Sequence, residues 1–242
     1  MYNFIFNQKI NSLKKMKFII IFSILTLSFV ANGFPIPKND KATFDVIRKN
    51  KVIGSVETTF EEIDEKLIVT TTVEIEVKAF FVTVYKFSQL SKETWVKDDF
   101  IEFEGHTDFE DEREYFIKGK DDKDKFVATG MDGELILNRN ILPLNYWNKD
   151  VLKETKVFDT QKGIVRKIKV KKLKDEIIEI NNLKINTEKY LLDASKNPKD
   201  KGPFPQYTLW YAKNGELIKF KFKNWKDKNR VITIIRTDWN NN

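Results

Sequence analysis

The sequence predicts an all-β protein: a single domain whose antiparallel meander of about a dozen strands forms a strongly curved sheet, a half-barrel or imperfect barrel, with little helix. Three observations predict it. Apolar residues recur with period two, most cleanly from Leu67 to Ala79, where Leu67, Val69, Thr71, Val73, Ile75, Val77 and Ala79 take one side and Ile68, Thr70, Thr72, Glu74, Glu76 and Lys78 the other. The runs are joined by hairpin-length connections, with Asn214-Gly215 and Asp132-Gly133 as the strongest turn signals. Finally, no alternation of strands with long helical patterns suggests a parallel sheet, and so many strands rarely stay one flat sheet.

The N-terminus is set aside first. Lys14, Lys15 and Lys17 precede an uncharged run from Phe18 to Ala31, the pattern of a secretory signal peptide, with Ala31 and Gly33 placing cleavage just before Phe34. As a helix the run would rise roughly 21 Å, short of a hydrocarbon core of roughly 30 Å, so an uncleaved anchor is the alternative reading. Met16 is an alternative start. The expected organisation is a leader over 1–33 and one exported domain over 34–242, in the periplasm. The leader carries four lysines and no acid, so the whole-chain charge of +7 falls to +3 in the mature chain, which weakens a nucleic-acid reading. The chain has no cysteine, hence no disulfide, thiol nucleophile or thiolate metal ligand.

In chain order, Thr43 to Arg48 and Lys51 to Phe60 form a hairpin turning near Lys49-Asn50, followed by the long strand from Leu67. Phe80 to Phe87, almost continuously apolar, reads as a strand buried on both faces or as a central strand. Ser91 to Val96 and Asp99 to Glu104 make a hairpin that sets Trp95 opposite Phe100. Glu112 to Lys118, Lys125 to Thr129 and Glu134 to Leu137 continue the meander. Ile141 to Leu152 breaks it, with Pro143 and then Tyr146 and Trp147 before a possible single helical turn. Short strands resume at Lys156 to Thr160, Ile164 to Leu173, Glu176 to Asn181 and Leu183 to Leu192, and Asp193 to Pro205 is a proline-rich loop.

The next hairpin can be read pair by pair. A two-residue type I′ turn at Asn214-Gly215 sets Tyr211 opposite Ile218, Leu209 opposite Phe220 and Tyr207 opposite Phe222 on a core face, with Trp210 opposite Lys219 on a wet one. Trp210 should therefore be covered by another segment, such as Tyr146-Trp147, or await a partner. Arg230 to Arg236 closes the domain.

The chemistry-bearing residues point to no reaction. His106, the single histidine, reads as an exposed loop imidazole, and one histidine excludes a histidine-based zinc site. Acids crowd Glu102 to Glu114 without calcium-loop spacing, and the alternating lysines at 167, 169, 171 and 219, 221, 223 read as solvated strand faces. No cofactor or metal is expected. The aromatic load of 20 Phe, 7 Tyr and 5 Trp, Trp225 among them, is mostly core, but a curved sheet lined with aromatics also makes a cavity for a lipid-like ligand. The candidate ligand or partner residues are Tyr146, Trp147, Gln161 and Trp210.

Several short pieces carry a resemblance: KVIGS at Lys51 to Ser55, FVTVYKF at Phe81 to Phe87, ETW at Glu93 to Trp95, NYWN at Asn145 to Asn148, DTQKG at Asp159 to Gly163 and LWYAKNGELIKFKF at Leu209 to Phe222. In this order they resemble an uncharacterised family of exported bacterial proteins, a domain of unknown function. The resemblance implies an all-β periplasmic protein, similar in architecture to envelope proteins that hold lipid or lipoprotein acyl chains in a half-barrel. Ala212 and Asp98 depart from it, standing where relatives tend to have Asp and Gly. The expected function is non-enzymatic binding of a hydrophobic envelope component; a carboxylate-based hydrolase and a structural partner of another envelope protein are the alternatives. Nucleic acid is not expected as a partner, and the membrane only through the leader during export.

Overall fold

A computed structural model describes residues 34–79, 81–109, 114–200, 202–224, 227–228 and 230–239; the leader and Trp225 lie outside the described residues. The strands among them are β1 (Lys41–Arg48), β2 (Lys51–Ile63), β3 (Lys66–Ala79), β4 (Val82–Val96), β5 (Asp99–Asp108), β6 (Tyr115–Asp122), β7 (Lys125–Gly130) and β8 (Gly133–Asn138). After them come β9 (Leu142–Pro143), β10 (Lys156–Asp159), β11 (Ile164–Lys172), β12 (Glu176–Ile180), β13 (Leu183–Ala194), β14 (Tyr207–Ala212), β15 (Leu217–Asn224) and β16 (Arg230–Arg236). A 3-10 turn, Lys149–Lys153, lies between β9 and β10.

All belong to one sheet in the order β8-β7-β6-β5-β4-β3-β2-β1-β16-β15-β14-β13-β11-β10-β9, with β12 attached to β13. Every pair is antiparallel except the two-residue contact of β9 with β10. The sheet is therefore the expected curved meander, not closed by a ladder. Its two ends nevertheless meet at a seam: the Met131 N–H donates to the Lys162 carbonyl at 2.7 Å, and a Cβ on Gly130 would lie 2.2 Å from the Gly163 carbonyl oxygen. Only two glycines allow those backbones to approach so closely.

Burial explains the curvature. One inner core gathers Phe44, Val46, Leu209, Tyr211, Phe220 and Ile234, and a second gathers Phe60, Trp95, Phe103, Phe126, Trp147 and Phe158. A third lies on the outer face, where β12 and β13 bring Ile178, Ile180 and Ile185 over Trp210, Ala212 and Ile218.

The structure corrects four expectations. The β14–β15 hairpin keeps the predicted pairs Tyr207↔Phe222, Leu209↔Phe220 and Trp210↔Lys219, but Tyr211 pairs with Leu217 across a register shift. Gly215 alone has positive φ, +90°, and its N–H donates to the Ala212 carbonyl, so the loop has three residues ending in a bulge and not a type I′ pair. The extra residue turns Leu217 inward and sends Ile218 to the outer core. Asp132-Gly133 is likewise not a type I′ pair, since positive φ falls on Gly133 only; Lys49-Asn50, Asp64-Glu65 and Asn181-Asn182 are the turns in which both residues take positive φ.

Phe80 to Phe87 leads into a central strand, β4 between β3 and β5, but is not buried on both faces. The chain reverses there, Phe81 is 100% exposed, and β4 begins at Val82 and runs unbroken through Val96. Phe80 itself lies outside the described residues. His106 sits on β5, not in a loop, stacked on Phe116 with ring centroids 4.4 Å apart.

Candidate functional site

Seven neighbouring strands, from β4 through β3, β2, β1, β16 and β15 to β14, wrap a cavity of about 550 Å3. Their inward positions follow the period-two pattern. On β4 these are Tyr85, Phe87, Gln89, Ser91 and Glu93; on β3, Thr71, Val73, Ile75 and Val77. The other wall is irregular chain: Leu144 to Trp147, the turn from Asp159 to Lys162, and the loop carrying Asp200 and Phe204.

Exposure rises along the wall strands toward one end. On β4 the sequence Glu93, Ser91, Gln89 and Phe87 is buried, whereas Val84 is 58% exposed. On β15, Leu217 and Phe220 are buried and Phe222 and Asn224 are partly exposed. The cavity is thus blind at the Glu93 end and open beside the β1–β2, β3–β4 and β15–β16 turns. Phe34 helps to seal the blind end, its ring lying 5.1 Å from Trp95 and 5.3 Å from Trp147.

Glu93 is 2% exposed. Its Oε2 accepts the indole N–H of Trp95 at 3.1 Å, the indole N–H of Trp147 at 3.2 Å and the side-chain amide of Asn145 at 2.9 Å. Burial pushes this carboxyl up to about 7, against the opposing pull of the three donors. The register shift of β4 against β5 between Thr94 and Trp95 helps to place Glu93, Thr94 and Trp95 all in buried positions. Asn145 and Trp147 are set by the irregular segment, where the Leu144 N–H donates to the Phe158 carbonyl and Asn148 caps the 3-10 turn by accepting the Asp150 N–H.

The second polar cluster is built on Asp159. Its Oδ1 accepts the N–H groups of Gln161 and Lys162 and so folds the turn. Its Oδ2 takes the Arg166 Nε, and Asp200 takes Arg166 Nη1 at 2.9 Å and Lys162 Nζ at 3.0 Å. For Asp200, burial pushes the carboxyl up, but Arg166, the Asn197 N–H and Lys162 outweigh it and hold it down at about 2. Burial likewise lowers Arg166, and the charges of Asp159 and Asp200 more than reverse that. Phe204 stacks on the guanidinium at 4.5 Å.

The candidate residues divide. Tyr146, Trp147 and Gln161 line the cavity; Trp210 does not. Tyr146 lies 5.1 Å from both Tyr207 and Phe220, and Gln161 reaches Gln89 on β4 at 3.4 Å. Trp210 is on the outer face, 1% exposed, beneath β12 and not beneath Tyr146-Trp147. Its indole N–H donates to Glu176, and the ammonium groups of Lys189, Lys219 and Lys221 lie 5.0 to 5.3 Å from its ring centroid. Glu93 was not among the candidates, although a signal was there: it falls in phase with Phe87 and Trp95, so a strand that buries them must bury it.

The short motifs ETW, NYWN and DTQKG, far apart in sequence, meet here around one end and one side of the cavity. A family model for a domain of unknown function, DUF6134, matches residues 44–233. The chain belongs to this family. The DUF6134 match starts in β1 and ends in β16, and those strands pair with each other, so it takes in most of the cavity wall, leaving out Pro35, Pro37, Ala42, Ile234 and Arg236. No curated protein matches the chain. Among solved structures it is similar to a β-barrel-like protein of another domain of unknown function, DUF1849, from Brucella abortus. That match has 12% identity and a TM-score of 0.58, covering 81% of this chain and 94% of that one. A Bacteroides fragilis protein with a YmcC-like fold, described as a candidate exported protein, aligns over 84% of this chain and 96% of its own at 12% identity, with a TM-score of 0.35. The DUF1849 likeness establishes a β-barrel-like fold for this DUF6134 chain.

Proposed function

We propose that this protein is exported to the periplasm and binds a hydrophobic or amphiphilic small molecule of the cell envelope in its half-barrel, without catalysing a reaction. The observation that carries the reading is the cavity: about 550 Å3, walled for the larger part by aliphatic and aromatic side chains, with polar groups at the blind end, along the irregular wall and, as Arg48, Lys223, Asn224 and Asp227, at the mouth. Small-molecule sites have this size and this distribution of polarity. The leader pattern at Lys14 to Gly33 supports export.

The polar groups argue against the hydrolase alternative. Carboxylate-based hydrolysis needs two acids free to exchange protons with a substrate. Both oxygens of Asp159 and of Asp200 are engaged by Arg166, Lys162 and backbone N–H groups, and the other two acids of the lining, Glu216 and Asp227, are held by Arg236 and Asn214 and by Arg48 and Arg230, which leaves Glu93 without a free second acid. The structural-partner alternative drew on an apolar patch around Trp210, and that ring is covered.

Native mass spectrometry of protein purified from its own cells is the test. The wild type should carry a small-molecule adduct, start at Phe34 and fractionate with the periplasm, and Val73→Trp, which fills the cavity, should be folded and free of adduct. A wild type with no adduct, or one that Val73→Trp retains, overturns the binding reading.

A further inference from the structure

The rim of the open end carries an apolar tip that extends beyond the cavity. Phe81 is 100% exposed, Val82 65% and Val84 58%, at the turn of the hairpin built from β3 and β4, two of the longest strands. Val52, also exposed, belongs to the same end, because β2 pairs with β3 up to Gly54↔Ile75 and continues toward it. Exposed apolar residues scattered singly are ordinary, but this group is contiguous and includes a whole phenylalanine. It is also continuous with the cavity wall: Ile75, Val77, Val84 and Tyr85 lead from the interior to Val82 and Phe81.

The surrounding charge is predominantly positive. The lysines at this rim are Lys49, Lys51, Lys78, Lys86, Lys223 and Lys228, and the acids among the described residues are Asp45, Glu74, Glu76 and Asp227. Glu76 is paired with Lys78, and Asp227 with Arg48 and Arg230, so most of the lysine charge stays uncompensated. On the neighbouring strands the next acids, Asp108 and Glu114, stand level with Ser88, roughly 20 Å down β4 from the tip. A ring of cations around an exposed aromatic tip fits a surface that is anionic outside and apolar beneath, which is the chemistry of a phospholipid bilayer.

We propose that this end of the half-barrel docks on an anionic lipid bilayer, with Phe81 and Val82 among the acyl chains and the rim lysines on the headgroups. The mature domain then meets the membrane by itself, beyond any contact made by the leader during export. Docking faces the cavity mouth toward the lipid, so a ligand leaves or enters along apolar wall without crossing water. The proposal does not depend on what the cavity holds, because vesicle binding is read separately from adduct retention.

The experiment is co-sedimentation of the mature domain with phosphatidylcholine vesicles, with and without phosphatidylglycerol, at low and high salt. Binding should require phosphatidylglycerol and fall steeply with salt, each rim charge contributing about fivefold at low ionic strength. The double variant Phe81→Ser, Val82→Ser should lose at least about tenfold in partitioning, and Lys49→Glu with Lys86→Glu a similar factor, with unchanged melting temperatures since all four side chains are exposed. Equal binding by the Phe81→Ser, Val82→Ser variant, equal binding to vesicles lacking phosphatidylglycerol, or no binding by the wild type overturns the proposal. So does a wild-type dimer that Phe81→Ser dissolves, which would make the tip a contact between copies of this chain.

Discussion

Two buried acidic sites border the same cavity and solve the burial of a carboxylate in opposite ways. Asp200 faces two cations, Arg166 and Lys162, and its carboxyl is held down at about 2. Glu93 faces only neutral donors, two indoles and an amide, and its carboxyl is driven up to about 7. Three well-placed dipoles therefore replace less of the lost hydration than two full charges do. The difference separates roles. The Asp159–Arg166–Asp200 group ties the β10–β11 turn to the loop before β14 through charged pairs, whereas Glu93 gathers its three neutral donors on Oε2 at the blind end.

The largest effect should come from breaking the charged cluster. Arg166→Met leaves Asp159 and Asp200 buried without their main cation, and removal of one partner from a buried ion pair costs about 3–5 kcal/mol. Chemical denaturation should show a loss of that size, a large fraction of the roughly 5–15 kcal/mol of an ordinary domain. A loss under about 1 kcal/mol would mean that the cluster is hydrated and that its contrast with Glu93 is overstated.

The pH profile of stability should separate the two sites next. Glu93 binds its proton more tightly in the folded chain, so between about 4.5 and about 7 the unfolded state holds fewer protons and stability declines as pH rises. Asp200 works in the other direction: its contribution is complete above the ordinary value of 3.8 and is lost as pH falls toward about 2. Together they give a maximum between about pH 4 and pH 5. Glu93→Gln keeps an acceptor for the three donors and removes the charge, so it should raise stability at pH 8 by up to about 3 kcal/mol and change little at pH 5. A variant that is less stable than the wild type at pH 8 would show that Glu93 has a cationic partner at that pH.

Much of this arrangement was legible in the sequence, and the parts that were not share a cause. Period-two alternation placed Val73, Ile75, Phe220 and Phe222 on the inner face, because a sheet offers a side chain only two directions. The β14–β15 register failed at Tyr211, since one bulged residue is invisible to alternation yet exchanges Leu217 for Ile218 between faces. The same limit hid the cover over Trp210: pairing along the chain shows that it stands beside Lys219, but not that β12 folds back on top. At Phe81 the absence of Gly, Pro or Asn removed the usual mark of a turn, and an apolar run was read as core. Glu93 was hidden by its neighbours, because its three donors come from β4 itself and from a segment some fifty residues away in an irregular stretch.

The smallest effect expected lies between the two sites, at Gln161. Its amide contributes one long hydrogen bond to Gln89, at 3.4 Å, on the turn that Asp159 already holds, so Gln161→Leu should change stability by less than about 1 kcal/mol. The side chain lines the cavity, however, and replacing an amide with an aliphatic group there makes the wall more apolar without altering its charge. If the ligand lies against this wall, the native mass spectrum of Gln161→Leu should show a changed adduct occupancy with an unchanged melting temperature. A variant that melts several degrees lower would instead assign Gln161 to the framework, alongside Arg166, and would confine the ligand-facing polarity to the Glu93 end.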